Sequence, residues 1–275
     1  MAYMPLNKAP QLLDDSTMPK IYDLSMPWGV DTPLWPFPGA RQDLVFPRGQ
    51  YLGRFHKRTM TYTGTLHAGT HMDAPNHVMH EEEVDRARNG YNLAEIPLCR
   101  CIGSGIIVDM RYLKDQFEEK WNAAEGDPSR MSEDIWHIIM PEEFEAACAK
   151  DGLEVRPNDW VVINTGFHHY WRVNNDKYYN YYPGEGPELA NYLTEEKHIK
   201  GISGTWGATD APLWHHPLKE QMPWLDTAYT QATGGKSAAE KYPDYEPCHR
   251  IYMQSGVCTV ENAGGDIDEV TGRRM

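Results

Sequence analysis

Apolar runs that alternate with helix-like segments dominate the middle of the chain. The run CIGSGIIVDM (101–110), which contains two glycines, and the runs WVVINTGF (160–167) and IKGISGTWG (199–207) predict buried strands. PEEFEAACAKDG (141–152) begins with proline and ends with glycine, which predicts a helix, and GPELANYLTEE (186–196) predicts another. Strands that alternate with helices in this order predict an α/β fold.

The first third of the chain and one later segment depart from this pattern. KRTMTYTGTLHAGTH (57–71) is dense in Thr and Tyr with alternating character, which predicts a strand. WGVDTPLWPFPG (28–39) contains three prolines, so it is not helical and is expected to cap a core or line a pocket. Residues 1–20 are expected to form an N-terminal arm, and residues 21–275 a single domain with a polar surface excursion at about 112–140.

Composition argues against several functional classes, among them nucleic-acid-binding and membrane proteins. The chain has 275 residues, 40% of them hydrophobic, and a formal net charge of -14, which argues against a nucleic-acid partner. It lacks an apolar run of about 18 residues and a signal-like N-terminus, so no membrane association and a cytoplasmic location are expected. Its five cysteines are scattered and odd in number, which predicts reduced thiols rather than disulfides.

One segment, HAGTHMDAPNH (67–77), concentrates residue types that bind metal ions. If it is extended, side chains two positions apart share a face, so His67, His71, Asp73 and His77 can converge, and Gly69 leaves room between two of them. In a helix His67 and His71 would still share a face. Two imidazoles and a carboxylate suit Zn²⁺ or Mn²⁺ with positions left open for water. The alternative is a polar loop that is rich in histidine.

The same segment matches every fixed position of HxGTHxDxPxH, the signature of the metal-dependent hydrolases often called the cyclase family. That family includes bacterial kynurenine formamidases and isatin hydrolases. The chain also resembles it in IYDLSMP (21–27), in the Trp35–Pro36 element and in HRIYMQSGVCTVENAGG (249–265), so the similarity covers roughly residues 20 to 268. The resemblance implies a swivelling β/β/α fold, and a homodimer or homotetramer.

The resemblance also assigns roles to residues. His77 falls on the family's proposed acid/base histidine. Asp73 would bridge two ions in a formamidase-like site, whereas isatin hydrolases are described with one Mn ion, so one or two ions remain possible. The metal ligands implied by the resemblance are His67, His71, Asp73, His249 and Glu261.

The substrate is expected to be a small molecule, a cyclic or aromatic amide. Trp35, Phe37 and Trp206 are the expected substrate contacts, because aromatic rings bind flat rings by stacking and burial. The adjacent His215 and His216 could contact substrate too, although a histidine pair beside Pro and Trp more often lies on a surface or at an interface.

Metal-activated water with His77 as acid/base predicts a hydrolase of C–N amide bonds. Motifs for a serine nucleophile elbow, a phosphate loop and a dinucleotide site are absent from the sequence. The alternatives are a lactone hydrolase, a metal-dependent isomerase or cyclase acting on a ring substrate, and, in a different class, a catalytically inactive metal-binding protein.

Overall fold

The computed structural model describes residues 20–29, 31–35, 42–45, 50–52, 55–57, 61–78, 92–131, 137–215 and 218–275. Most of the expected N-terminal arm, together with Phe37 and His216, lies outside these residues. No helix in the described ranges is long and apolar enough to cross a membrane.

The secondary structure alternates short strands with short helices. In chain order the strands are β1 (Gln42–Val45), β2 (Gln50–Leu52), β3 (Phe55–Lys57), β4 (Thr61–Gly64), β5 (His71–Asp73), β6 (Gly105–Asp109), β7 (Ile138–Ile139), β8 (Trp160–Asn164), β9 (Gly184–Glu185), β10 (Gly201–Gly204), β11 (Cys258–Glu261) and β12 (Arg273–Arg274). The α-helices are α1 (Tyr112–Ala123), α2 (Pro141–Lys150), α3 (Asn175–Asn180), α4 (Pro187–Asn191), α5 (Leu218–Gln221), α6 (Leu225–Ala232), α7 (Ala238–Lys241), α8 (Pro247–Gln254) and α9 (Ile267–Val270).

The central sheet of the described structure has the order β12-β6-β8-β10-β11-β5. Its four inner strands run parallel, and β12 and β5 close the two edges in antiparallel pairing. The inner strands are almost continuously buried, as expected for parallel strands covered on both faces. The α/β prediction is confirmed, as are the three predicted central strands and the predicted helices at α2 and α4.

The strand predicted over residues 57–71 is confirmed in part, because β4 lies inside this range but does not continue to His71. β3 ends at Lys57, β4 ends at Gly64, and the chain turns before β5 begins at His71. The reason lies at Gly69, whose φ of +67° belongs to the left-handed region and cannot continue a strand.

The described part of the segment 112–140, residues 112–131 and 137–140, contributes several buried side chains to the core. It contains helix α1, whose Leu113 and Phe117 are fully buried, and the buried strand β7. The Phe117 ring packs against the rings of Phe167 and Tyr181, with centroids 5.3 and 6.1 Å away. The polar composition of the segment comes from the outer side of an amphipathic helix, and its few apolar residues join the main core.

Candidate metal centre

The edge strand β5 and its neighbour β11 bring three of the expected ligands together. In their antiparallel register His71 lies opposite Glu261, and Asp73, two residues along, shares the face of His71. The His71 Nε2 atom is 3.7 Å from Glu261 Oε2 and 3.4 Å from Asp73 Oδ1. Sheet pairing alone therefore joins a residue of the signature segment to one almost 200 positions later.

His67 reaches the same place through the turn at Gly69. Its Nδ1 atom is 3.0 Å from Asp73 Oδ1 and 3.2 Å from His71 Nε2. The carbonyl of Gly69 lies 2.8 Å from His71 Nδ1, so His71 donates there and keeps the Nε2 lone pair free for the cluster. The expectation of one extended face therefore holds for His71 and Asp73, while His67 arrives by a turn.

His77 lies in a second turn, closed by a hydrogen bond from its backbone N–H to the carbonyl of Ala74 at 2.8 Å. Its ring stacks on that of His67 with centroids 4.0 Å apart. The ring is exposed at the mouth of the site. Partial burial by the surrounding protein lowers the pKa of His77, and the neighbouring His249 and His67 lower it further. Asp73 raises this pKa, but the net effect is a decrease. The lowered pKa favours neutral imidazole at His77 around neutral pH.

His249 enters from the first turn of helix α8 and is almost fully buried. Its Nδ1 atom is 2.6 Å from Asp210 Oδ2, which leaves Nε2 facing the cluster, 2.9 Å from Glu261 Oε1 and 3.7 Å from Asp73 Oδ2. The structure thus places all five sequence-predicted ligands around one point, with His77 beside them.

The donor set fits a divalent cation. Within the described residues, neither side-chain oxygen of Asp73 accepts a hydrogen bond, although both are buried and imidazole nitrogens surround them. A buried carboxylate with no donor is costly unless a cation satisfies it. Ligand atoms lie within 4.8 Å of one another in three overlapping groups: His67, Asp73 and His77; His71, Asp73 and Glu261; and His77, Glu246 and His249.

Without a cation the protonation of the cluster is strongly perturbed. Burial lowers the pKa of His71, but Asp73 and Glu261 more than offset it and raise the value to about 9. Burial raises the pKa of Asp73, but the surrounding histidines hold it well below its usual range. In the absence of metal, therefore, protons on the imidazoles neutralise the carboxylates, and these are the protons that a cation would displace.

A cavity of about 30 Å³, enough for ions and water, opens onto these residues. Trp35 lines it, and the Trp35 ring is held edge-on by Tyr179 and His215 at centroid distances of 5.5 and 5.1 Å. Trp206 does not line it: the ring is fully buried in the core and packs over Gly204. The structure therefore supports a pocket position for Trp35 and places Trp206 elsewhere.

Comparison with known proteins decides the family. A family model described as Cyclase matches residues 22–211 of the chain. The chain belongs to the cyclase family. No curated protein matches its sequence significantly.

Solved structures agree with the cyclase-family fold at low sequence identity. Isatin hydrolase A from Ralstonia solanacearum is 15% identical, with a TM-score of 0.61, and the match covers 91% of this chain and 81% of that one. Isatin hydrolase A from Labrenzia aggregata, bound to benzyl benzoate, is 21% identical, with a TM-score of 0.57 and coverages of 88% and 80%. A predicted metal-dependent hydrolase from Bacillus stearothermophilus is 15% identical, with a TM-score of 0.53 and coverages of 93% and 86%.

Two acidic residues of this cyclase-family site escaped the sequence prediction. Asp210 is fully buried behind His249. It lies five positions before His215, in a segment where the sequence indicated only the two adjacent histidines as candidate residues. Glu246 precedes His249 by three positions and lines the cavity, with Oε1 3.3 Å from His215 Nδ1. Burial raises the pKa of Glu246, but His249 and His215 lower it to about 2. The only sequence signal was an acidic residue near each histidine segment, which is too common to be specific.

Proposed function

We propose that this chain is a metal-dependent hydrolase that cleaves a C–N amide bond, in a cyclic amide or an aryl formamide, with His77 as the acid/base. One observation carries the proposal: the two buried oxygens of Asp73, which accept no hydrogen bond within the described residues, lie amid imidazole nitrogens next to the free ring of His77. The isatin hydrolases among the structural neighbours support this class of reaction.

The ligands divide into two groups around Asp73. His67 and His71 would hold the first Mn²⁺ or Zn²⁺ with Asp73, and His249 and Glu261 would hold a second one on its other side. When bound, such an ion lowers the pKa of water toward neutrality and polarises a carbonyl.

A charge count favours two ions over one. Asp73, Glu246 and Glu261 are buried carboxylates next to the same small cavity. With neutral histidines, one divalent cation would leave a net negative charge in a site with little access to water. Asp210, fully buried behind His249, adds a fourth carboxylate, so two divalent cations would balance the buried negative charge and one would not.

The side chains of the protein supply proton transfer and orientation. His77 is neutral around neutral pH because the protein that crowds it lowers its pKa, so it can take a proton from water and return it to the departing nitrogen. Its stacking on His67 fixes the plane of the ring beside the ligands. Trp35 lines the same cavity and is the proposed aromatic contact for the part of a substrate that reaches the cluster.

The test combines a substrate screen with one matched pair of variants. Cyclic amides, formanilides and lactones are incubated with protein that has been loaded with Mn²⁺ or Zn²⁺. We expect amide hydrolysis, and we expect His77→Gln to keep its metal while losing on the order of 10²–10⁴ in kcat. His169→Gln is the control, because His169 bonds Asp268 and does not line the cavity.

Four outcomes would contradict the proposal. Full turnover after exhaustive chelation would exclude the metal, and full turnover by His77→Gln would exclude its acid/base role. In water labelled with oxygen-18, a product without label would indicate an isomerase or cyclase rather than a hydrolase. Cleavage of lactones alone would replace the amide with an ester bond as the target.

A further inference from the structure

The carboxylate of Asp210 makes three short contacts, all to one turn of helix α8. Its Oδ1 accepts the backbone N–H of Cys248 at 2.7 Å, and its Oδ2 accepts that of His249 at 3.0 Å. The same Oδ2 is 2.6 Å from Nδ1 of the His249 ring. Asp210 therefore caps the start of the helix and binds the side chain that the helix presents to the metal cluster.

The backbone of Asp210 is fixed independently of that helix. Strand β9 pairs with residues 209–211 through two backbone hydrogen bonds. The N–H of Glu185 donates to the carbonyl of Thr209 at 2.8 Å, and the carbonyl of Glu185 accepts the N–H of Ala211 at 3.0 Å. The carbonyl of Asp210 itself accepts a hydrogen bond from the hydroxyl of Tyr182 at 2.9 Å. The backbone that carries the carboxylate is thus held by contacts outside helix α8.

A hydrogen bond at one imidazole nitrogen determines what the other can do. Donation from His249 Nδ1 to Asp210 leaves Nε2 with a lone pair, which faces Asp73 and Glu261. A carboxylate partner also makes the imidazole a stronger ligand. His71 differs in this respect, because its Nδ1 donates to the neutral carbonyl of Gly69.

We propose that Asp210 is the positioning residue that orients His249 and sets the affinity of the second ion. The first ion would be independent of Asp210, because the three short contacts of that carboxylate all go to Cys248 and His249. This inference rests on the proposed function, since it requires an ion between Asp73, His249 and Glu261.

The first experiment titrates metal-free protein with Zn²⁺ and Mn²⁺ by calorimetry. The wild-type chain is expected to bind two ions. Asp210→Asn is expected to keep the affinity of one and to weaken the other by about 10–100-fold, the usual effect of losing a carboxylate behind a histidine ligand. Unchanged affinity for both ions in Asp210→Asn would overturn the role of Asp210 and leave the proposed function intact.

Asp159→Asn controls for the loss of a buried aspartate. Asp159 is also fully buried and accepts a backbone N–H, from Arg156 at 2.8 Å, and a hydroxyl, from Ser104 at 2.7 Å, but it does not line the cavity. We expect Asp159→Asn to lower the unfolding temperature without changing either metal affinity. Equal loss of the second ion in both variants would mean that Asp210 acts only through general stability.

A second readout needs no metal. In metal-free protein labelled with ¹⁵N-histidine, the proton on His249 Nδ1 is expected to exchange slowly with solvent, and to lose this protection in Asp210→Asn but not in Asp159→Asn. A wild-type chain that binds one ion would instead contradict the second ion site, and with it the effect of Asp210 on metal affinity, but not the proposed hydrolysis. The protection of the Nδ1 proton would then decide by itself whether Asp210 orients His249.

Discussion

Replacing Gly69 with alanine tests whether the turn in the signature segment builds the site. The φ of Gly69 is +67°, and a Cβ atom there would lie 2.8 Å from Cδ1 of Trp28. The left-handed conformation costs an alanine about 1–2 kcal/mol. The close contact adds roughly 1–3 kcal/mol if the ring cannot move away. Because Trp28 is half exposed and can shift, we expect Gly69→Ala to lower the free energy of unfolding by about 2–4 kcal/mol.

Gly152 provides a matched control for the backbone part of this cost. It has the same φ of +67°, and a Cβ atom there would meet nothing within 4 Å. Gly152→Ala should therefore cost about 1–2 kcal/mol. In a Trp28→Ala background the contact is gone, and Gly69→Ala should cost no more than Gly152→Ala.

The assay is urea unfolding of metal-free protein, since bound metal would add its own contribution to stability. The carbonyl of Gly69 accepts the hydrogen bond that orients His71, so Gly69→Ala should also weaken metal binding, whereas Gly152→Ala should not. Two results would refute the reasoning: equal stability losses in Gly69→Ala and Gly152→Ala, or a Gly69→Ala variant with wild-type metal affinity.

Two further predictions concern the core. Burial lowers the pKa of His137 from its ordinary value of 6.5 to about 3, so the unfolded chain binds the extra proton first and stability falls as the pH drops from 6.5 toward 3. The loss should approach about 1.4 kcal/mol per pH unit inside that window, and urea unfolding of His137→Phe between pH 7 and 5 should show a shallower pH dependence. Phe117→Ala should cost about 3–5 kcal/mol, because the ring is fully buried, while Val173→Ala, at 80% exposed, should cost under about 0.5 kcal/mol in the same assay.

Local sequence determined much of the fold because the relevant signals are local. A run of apolar residues predicts a buried strand wherever it occurs, and β6, β8 and β10 lie where such runs predicted them. Helix α2 was also predicted from local signals, because Pro141 begins it and Gly152, which has a positive φ, follows its last residue closely. Phe117 was missed because charged neighbours dominate its segment, and only the packing against Phe167 identifies the buried face.

The aromatic residues show what local sequence signals do not predict, namely whether a side chain lines a pocket or lies in the core. Trp35 and Trp206 were both predicted to contact substrate, since side-chain type cannot distinguish a pocket wall from a core. The structure separates them, because Trp206 packs over Gly204 inside the core and Trp35 lines the cavity.

At the site, the chemical type of each ligand follows from the sequence alone. The segment 67–77 carries imidazoles and a carboxylate, and resemblance to a family extended the set to His249 and Glu261. How these residues meet depends on the folded chain: the register of β5 against β11 sets His71 opposite Glu261, and the loop after β10 places Asp210 behind His249. The physical reason is that ligand type belongs to a single residue, whereas convergence depends on contacts between segments far apart in the chain, which the order of strands in the sheet determines.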